Sequence, residues 1–214
     1  MAGHIITVAQ QKGGSGKTTL AVHLAVHFLR AGRSVAVLDT DPQGSLGRWF
    51  MTRVERTEST PEMEFSTASA WGVGYEAGKL SKEHDIVFID TPPKADSDLR
   101  PALREADLVL VPVAASALDL WATESVLDLV ERTRKPALTV LNRAKRGTRV
   151  FAETAAAVAA LPAPMADAVL GNRVIYAEAM GEGVGVTERA RTGPAAAEVA
   201  SLASEIEHQL TSPV

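Results

Sequence analysis

The chain has 214 residues, with 22 Lys and Arg against 26 Asp and Glu for a net charge of −4, 46% hydrophobic residues and no cysteine. That composition excludes global disorder, disulfides, thiolate metal sites and Fe–S ligation, and it leaves no global attraction to nucleic acid or anionic lipid beyond a local patch. The length suits one domain, expected to span residues 1–214; no apolar run approaches a transmembrane helix, and Met1 to His4 leads into the first apolar run without a secretory signal.

Ile5-Ile6-Thr7-Val8-Ala9 is short, apolar and β-branched, as a buried parallel strand is. Gln11-Lys12-Gly13-Gly14-Ser15-Gly16-Lys17-Thr18-Thr19 follows as a phosphate-binding loop with one departure. The pattern G-x-x-x-x-G-K-[ST] opens on Gly, and here Gln11 stands in that place. A second lysine, Lys12, precedes the Gly pair. It can point away from its own site toward a phosphate held by another subunit, which predicts a nucleotide-dependent dimer. Leu20, Leu24 and Phe28 then recur at helical spacing, with Gly32 as a stop. The loop therefore sits between a strand and a helix N-terminus, where free N–H groups and the helix dipole favour an anion. Lys17 is expected on the β- and γ-phosphates and the Thr18 hydroxyl on Mg²⁺.

Residues 34–39 read as a second strand and 45–53 as a short helix. Thr52 to Pro61 reads as a polar surface loop. Residues 64–67 suit an edge strand and 71–80 a weak helix. Residues 85–90 form a strongly buried strand, and a helix is expected over 101–106. Strands at 108–113 and 137–142 flank an amphipathic helix at 118–132. A further helix is expected at about 148–161, a short extended piece at 168–170 and a terminal helix at 194–210 with Pro194 in its first turn. Alternating strands and helices imply an α/β fold: a doubly wound, mostly parallel sheet with helices on both faces. Ligands bind beyond the carboxyl ends of such strands, and these ends carry the loop, Asp39 and Asp41, Asp90, and Asn142.

Asp90 follows four apolar residues, the pattern that holds Mg²⁺ through water; alone it would read as a strand-end turn or cap. In Asp39-Thr40-Asp41-Pro42-Gln43-Gly44-Ser45, Asp41 is chosen to position the attacking water and Asp39 to support the waters of Mg²⁺. The alternative is that both cap the next helix. The metal set is thus Thr18, Asp39 and Asp90, and the catalytic set Lys12, Lys17 and Asp41. Asp90-Thr91-Pro92-Pro93 is either a second switch that senses the γ-phosphate or a stiff connection. Asn142-Arg143 lacks the Asp that guanine recognition needs, so ATP is preferred. Asn142 would bond the adenine edge and Arg143 would stack on the base, or stay a solvated charge. Arg143, Lys145, Arg146 and Arg149 form the densest basic cluster, with Arg173, Arg189 and Arg191 further on; they suit DNA phosphates or a solvated face.

Lys12 to Thr19, Asp39 to Ser45, Ile89-Asp90-Thr91-Pro92-Pro93 and Val111-Pro112-Val113 together resemble the ParA/MinD family of deviant Walker ATPases, which are P-loop NTPases. The stretch Asn172 to Val186, with Glu178-Ala179 and Gly183, fits the ParA branch, and the run ending at Trp49 resembles its small members, which lack an N-terminal helix-turn-helix domain. The resemblance covers nearly the whole chain. It implies an ATP- and Mg²⁺-dependent sandwich homodimer in which Lys12 reaches the partner's phosphates. It implies non-specific DNA binding in the ATP state, and slow hydrolysis stimulated by a ParB-like or cargo-adaptor protein. It implies a cytoplasmic protein on the nucleoid when ATP-bound, positioning a plasmid, a chromosome origin or a protein cluster. The adaptor's candidate surface is Leu118 to Arg132. Lys and Arg are absent from Ala195 to Val214, where Glu198, Glu205 and Glu207 sit. That speaks against DNA contact at the terminal helix and against a basic membrane tail, so no membrane is expected. The alternatives are a MinD-like membrane-cycling regulator and a P-loop metabolic enzyme such as an amidoligase.

Overall fold

The computed structural model describes residues 2–57, 62–93, 96–114 and 117–211, side chains excepted at 70, 96–98, 117 and 118. Six strands form one sheet: β1 (His4–Val8), β2 (Val35–Asp39), β3 (Glu64–Thr67), β4 (Ile86–Asp90), β5 (Leu108–Ala114) and β6 (Ala137–Asn142). Their order is β3-β2-β4-β1-β5-β6, and every pairing is parallel. β4 and β2 are fully buried, as continuous apolar runs in a parallel sheet require.

Successive strand residues face opposite layers. Ile6, Val8, Val35, Val37 and Phe88 meet α1 (Lys17–Arg30), α2 (Ser45–Thr57) and helices from the last quarter of the chain. Ile5, Ala36, Leu38, Val87 and Ile89 meet α3 (Val73–Glu83) and α4 (Asp96–Glu105). Val109 and Val111 pack under α4 and α5 (Ala117–Thr133). The two-residue period of the strands thus sorts the core into two layers.

Several boundaries differ from expectation. The polar stretch 52–57 continues α2 because Arg53 is buried inside it; residues 58–61 lie outside the described residues. α4 begins five residues before Pro101 and runs through it. Burial of Leu99, Ala102 and Leu103 outweighs the one ladder bond that proline cannot make. α6 (Arg149–Ala159) starts at Thr148, whose side chain accepts from the Phe151 N–H. Residues 168–170 form no named strand, yet they run beside β6: Leu170 N donates to Leu141 O, and Ala144 N to Leu170 O. Two helices lie where the sequence pattern predicts none, α7 (Val174–Gly181) and the four-residue α8 (Val186–Arg189), before α9 (Pro194–Thr211) closes the fold.

α2 is fastened to the α7–α8 connection. Arg53 donates to both oxygens of Glu188, at 2.9 and 2.7 Å, and to Gly183 O. Trp49 Nε1 reaches Val184 O, and the Arg53 guanidinium lies 5.7 Å from the Trp49 ring centre. Gly183 has φ +68°, and a side chain there would meet the α2 backbone at Thr52 and Arg53. Only glycine permits this approach.

Candidate functional site

The loop between β1 and α1 borders a cavity of about 420 Å³, lined among others by Gly13, Gly14, Gly16, Lys17, Thr18, Thr19, Asp41 and Arg143. Gly16 sits at φ +91°, where a side chain would collide with the Asn142 amide. Lys17 is 6% exposed. Burial lowers its pKa, and the carboxylates of Asp90 and Asp41 pull it back up. The ammonium therefore already faces the two acids expected beside a phosphate.

β2 and β4 pair with Asp39 opposite Asp90, which brings these two strand-end carboxylates to one level of the sheet. Thr18 Oγ1 donates to Asp90 Oδ2 at 2.6 Å, while Asp90 Oδ1 is buried without a hydrogen-bond partner. Burial pushes the Asp90 carboxyl up to about 7; the Thr18 hydrogen bond and Lys17 oppose the shift, and Asp39 and Asp41 add to it. A hydroxyl and a carboxylate with a free oxygen form a hard-oxygen donor set that fits Mg²⁺. Asp39 is differently engaged. Its Oδ1 accepts from Asp41 N and its Oδ2 from Gly47 N, both at 3.0 Å, so it holds the turn that carries Asp41. Burial still raises its pKa against those hydrogen bonds. Asp41 lines the cavity and accepts from Gln43 N.

Lys12 does not line that cavity. Its ammonium lies 2.7 Å from Asp119 Oδ2 on α5, whose side chain is 3% exposed. The loop's start is bound to α5 a second way: Gln10 Nε2 donates to Thr123 Oγ1, and Gln10 Oε1 accepts from Gln11 N. Ser15 is buried and its hydroxyl lacks a hydrogen-bond partner. In the second switch-like segment, Thr91 is buried and donates to Val8 O. Pro93 lines the phosphate cavity, and residues 94–95 lie outside the described residues.

Asn142 and Arg143 line an adjoining hollow with Thr19, Gly171, Asn172 and Tyr176. Asn142 is nevertheless committed to the backbone. It donates to Ser15 O and accepts from Arg143 N, each at 2.9 Å, so it braces the phosphate loop. Arg143 takes φ +51°, a strained value for a non-glycine residue of the kind that gathers at binding sites. Asn172 and Tyr176 have no signal of their own in the sequence beyond the motif stretch that contains them.

The basic residues do not form one free surface. Arg173 is paired with Glu198, Arg189 with Glu178 and Glu182, and Arg149 with Glu153. Among the described residues Arg143, Lys145, Arg146 and Arg191 are exposed and make no ion pair. The glutamates of α9 are also engaged. Glu205 accepts from the N–H groups of Asp167 and Ala168, and Glu198 from that of Gly171. On α5, Trp121, Glu124 and Asp128 are exposed. No helix is long and apolar enough to cross a membrane among the described residues.

Residues 6–186 match the CobQ/CobB/MinD/ParA nucleotide binding domain. The chain is 30% identical to the maintenance of carboxysome distribution protein A of Halothiobacillus neapolitanus over 94% of its length and 95% of that protein's. It is 29% identical to the chromosome-partitioning ATPase Soj of Thermus thermophilus over 60% of its length and 62% of that protein's. Its fold resembles that of the septum site-determining protein MinD from Pyrococcus horikoshii, solved with Mg-ADP, at a TM-score of 0.80 and 20% identity, covering 95% of this chain and 96% of that one. The family match spans most of the chain and takes in the β1–α1 loop, Asp39, Asp41 and Asp90, and the chain belongs to the ParA/MinD family of nucleotide-binding ATPases.

Proposed function

We propose that the chain is an ATP-driven switch that dimerises on Mg-ATP, rests on DNA without sequence preference and positions a cargo with a ParB-like adaptor. The observation that carries this reading is Lys12. It belongs to the phosphate loop, yet it stands outside its own phosphate cavity, parked on Asp119. Such a lysine serves a phosphate other than its own. When it leaves for the partner's nucleotide, Asp119 remains as a buried carboxylate without that cation, so the parked form is favoured until a phosphate replaces it.

In this scheme Lys17 and the loop N–H groups hold the phosphates. Thr18 and Asp90 hold Mg²⁺, and Asp39 acts on its waters while fixing the turn. A Mg²⁺ ion held by Thr18 and Asp90 would supply charge neutralisation for the bound phosphates. Asp41 orients the attacking water, and Arg143 covers the base. A relative matched over 94% of this chain and 95% of its own is named for distributing carboxysomes, which favours a protein assembly as the cargo. Soj, named for chromosome partitioning, matches over a shorter span. The exposed cations Lys145 and Arg146 supply the DNA surface, and the protein gathers on the nucleoid while ATP-bound.

Sedimentation of the Asp41→Ala protein with ATP or ADP, with and without a random duplex, tests the scheme. An ATP-only dimer that carries DNA is expected. A dimer that ignores DNA removes the DNA track, and a monomer in ATP removes the switch. Lys12→Ala is expected to keep most ATP binding and lose the dimer; a normal ATP dimer would exclude the trans lysine. Replacing Lys145 and Arg146 with Ala together should weaken binding alike on all sequences. It should also flatten the salt dependence, by about 0.9 in log–log slope for each phosphate no longer neutralised. An unchanged slope would move the DNA surface elsewhere.

A further inference from the structure

At the far end of α1 from the phosphate loop lies a second cavity of about 260 Å³, lined by His27, Arg30, Thr187, Arg191, Ala196 and Ala200. α1 is 14 residues long, which separates the two places by roughly 20 Å at ~1.5 Å per residue. Three elements meet here: the last turn of α1, the short α8 and the beginning of α9.

Arg30 and Arg191 are exposed and make no ion pair among the described residues. Their neighbours in sequence differ, since Arg33 is held by Glu207, and Arg189 by Glu178 and Glu182. Glu207 acts electrostatically on His27 and Glu188 on Arg30, but each is ion-paired elsewhere, Glu207 with Arg33 and Glu188 with Arg53. Thr187 is 7% exposed, and its hydroxyl has no hydrogen-bond partner. A buried hydroxyl left alone is destabilising, and an oxyanion oxygen would relieve it. α9 begins at Pro194, so Ala196 in the cavity wall belongs to the first turn of an 18-residue helix, the end that carries partial positive charge.

We propose that this cavity is a second phosphate-binding site, in which Arg30 and Arg191 neutralise one phosphate group and Thr187 Oγ1 hydrogen-bonds to it. Two guanidinium forks suit a tetrahedral oxyanion, whereas a planar carboxylate is satisfied by one. The group is either free phosphate or a phosphodiester of a nucleic acid backbone.

The test uses the full chain with Mg-ADP in excess to fill the phosphate loop. The His27 ring resonance is followed by NMR as inorganic phosphate replaces chloride at constant ionic strength. A saturable shift is expected, weakened about tenfold or more in Arg30→Gln/Arg191→Gln. Thr187→Val should weaken it several-fold while leaving the melting temperature unchanged or higher. A threonine with only a structural role would not alter phosphate affinity. In a parallel titration of the Asp41→Ala protein with Mg-ATP, the state proposed to hold DNA, duplex DNA that displaces phosphate identifies the phosphodiester as the source, and DNA without effect identifies free phosphate. A response equal to that of chloride, one that survives the double arginine variant, or one that disappears in Lys17→Ala would overturn the proposal.

Discussion

Lys17→Ala is expected to abolish nucleotide binding, with the ATP dissociation constant raised at least about a hundredfold. Lys17 is the lysine that lines the phosphate cavity, and its pKa reflects burial opposed by Asp90 and Asp41. Removing it takes away charge-assisted hydrogen bonds to phosphate and also leaves two acids facing the ligand's negative charge. Titration with a fluorescent ATP analogue measures the effect, with circular dichroism confirming the fold. Tight binding by the folded variant would withdraw the phosphate role from this loop.

The second large effect is on acid stability and comes from His23, in the middle of α1. It is 1% exposed; its Nδ1 accepts from Val186 N at 3.2 Å, and its ring lies 5.1 Å from that of Tyr176. Burial lowers its pKa from 6.5 to about 4, partly offset by a backbone hydrogen bond. Between those values the unfolded chain takes up a proton that the native protein refuses. The stabilisation is therefore complete above about pH 6.5 and is lost as pH falls toward 4, by about 3 kcal/mol at ~1.4 kcal/mol per unit. Asp90 acts in the opposite sense in the ligand-free protein. Its raised pKa means the native state keeps a proton that the unfolded chain releases between 3.8 and about 7, so its contribution falls as pH rises. Urea unfolding of wild type and His23→Gln at several pH values isolates the histidine, since Asp90 is common to both. A stability difference that stays constant with pH would show that His23 is not held neutral.

Most of the central sheet is legible in the sequence because its strands are short apolar runs buried on both faces. The phosphate loop, Asp39, Asp41 and Asp90 are legible because each sits at the carboxyl end of such a run. α7 is not, because Val174-Ile175-Tyr176 and Ala177 to Gly181 show no one-sided apolar stripe. α8 has only four residues, and its place comes from the contact of Val186 with His23 and of Glu188 with Arg53. The partner of Lys12 is hidden for a different reason: Asp119 is 107 residues away, and only the closing of α5 against β5 brings it near. By sequence Asn142 reads as a base contact, whereas the turn after β6 points its amide at the Ser15 carbonyl. Side-chain reach across a fold leaves no periodic trace in the chain.

The glutamates of α9 tie the final helix back to the chain that precedes it. Glu198 reaches back 27 residues to the Gly171 N–H and also binds Arg173 and the Tyr176 hydroxyl, while Glu205 reaches back 38 residues to Asp167. Gly171, Arg173 and Tyr176 are the wall of the hollow beside Asn142 and Arg143. The same wall is also tied to earlier parts of the chain, by Asn172 N on Ala144 O and by the Tyr176 ring against His23. The side of the hollow that carries Gly171 and Tyr176 is therefore held in place from the last helix of the fold, across 22 to 27 residues of chain.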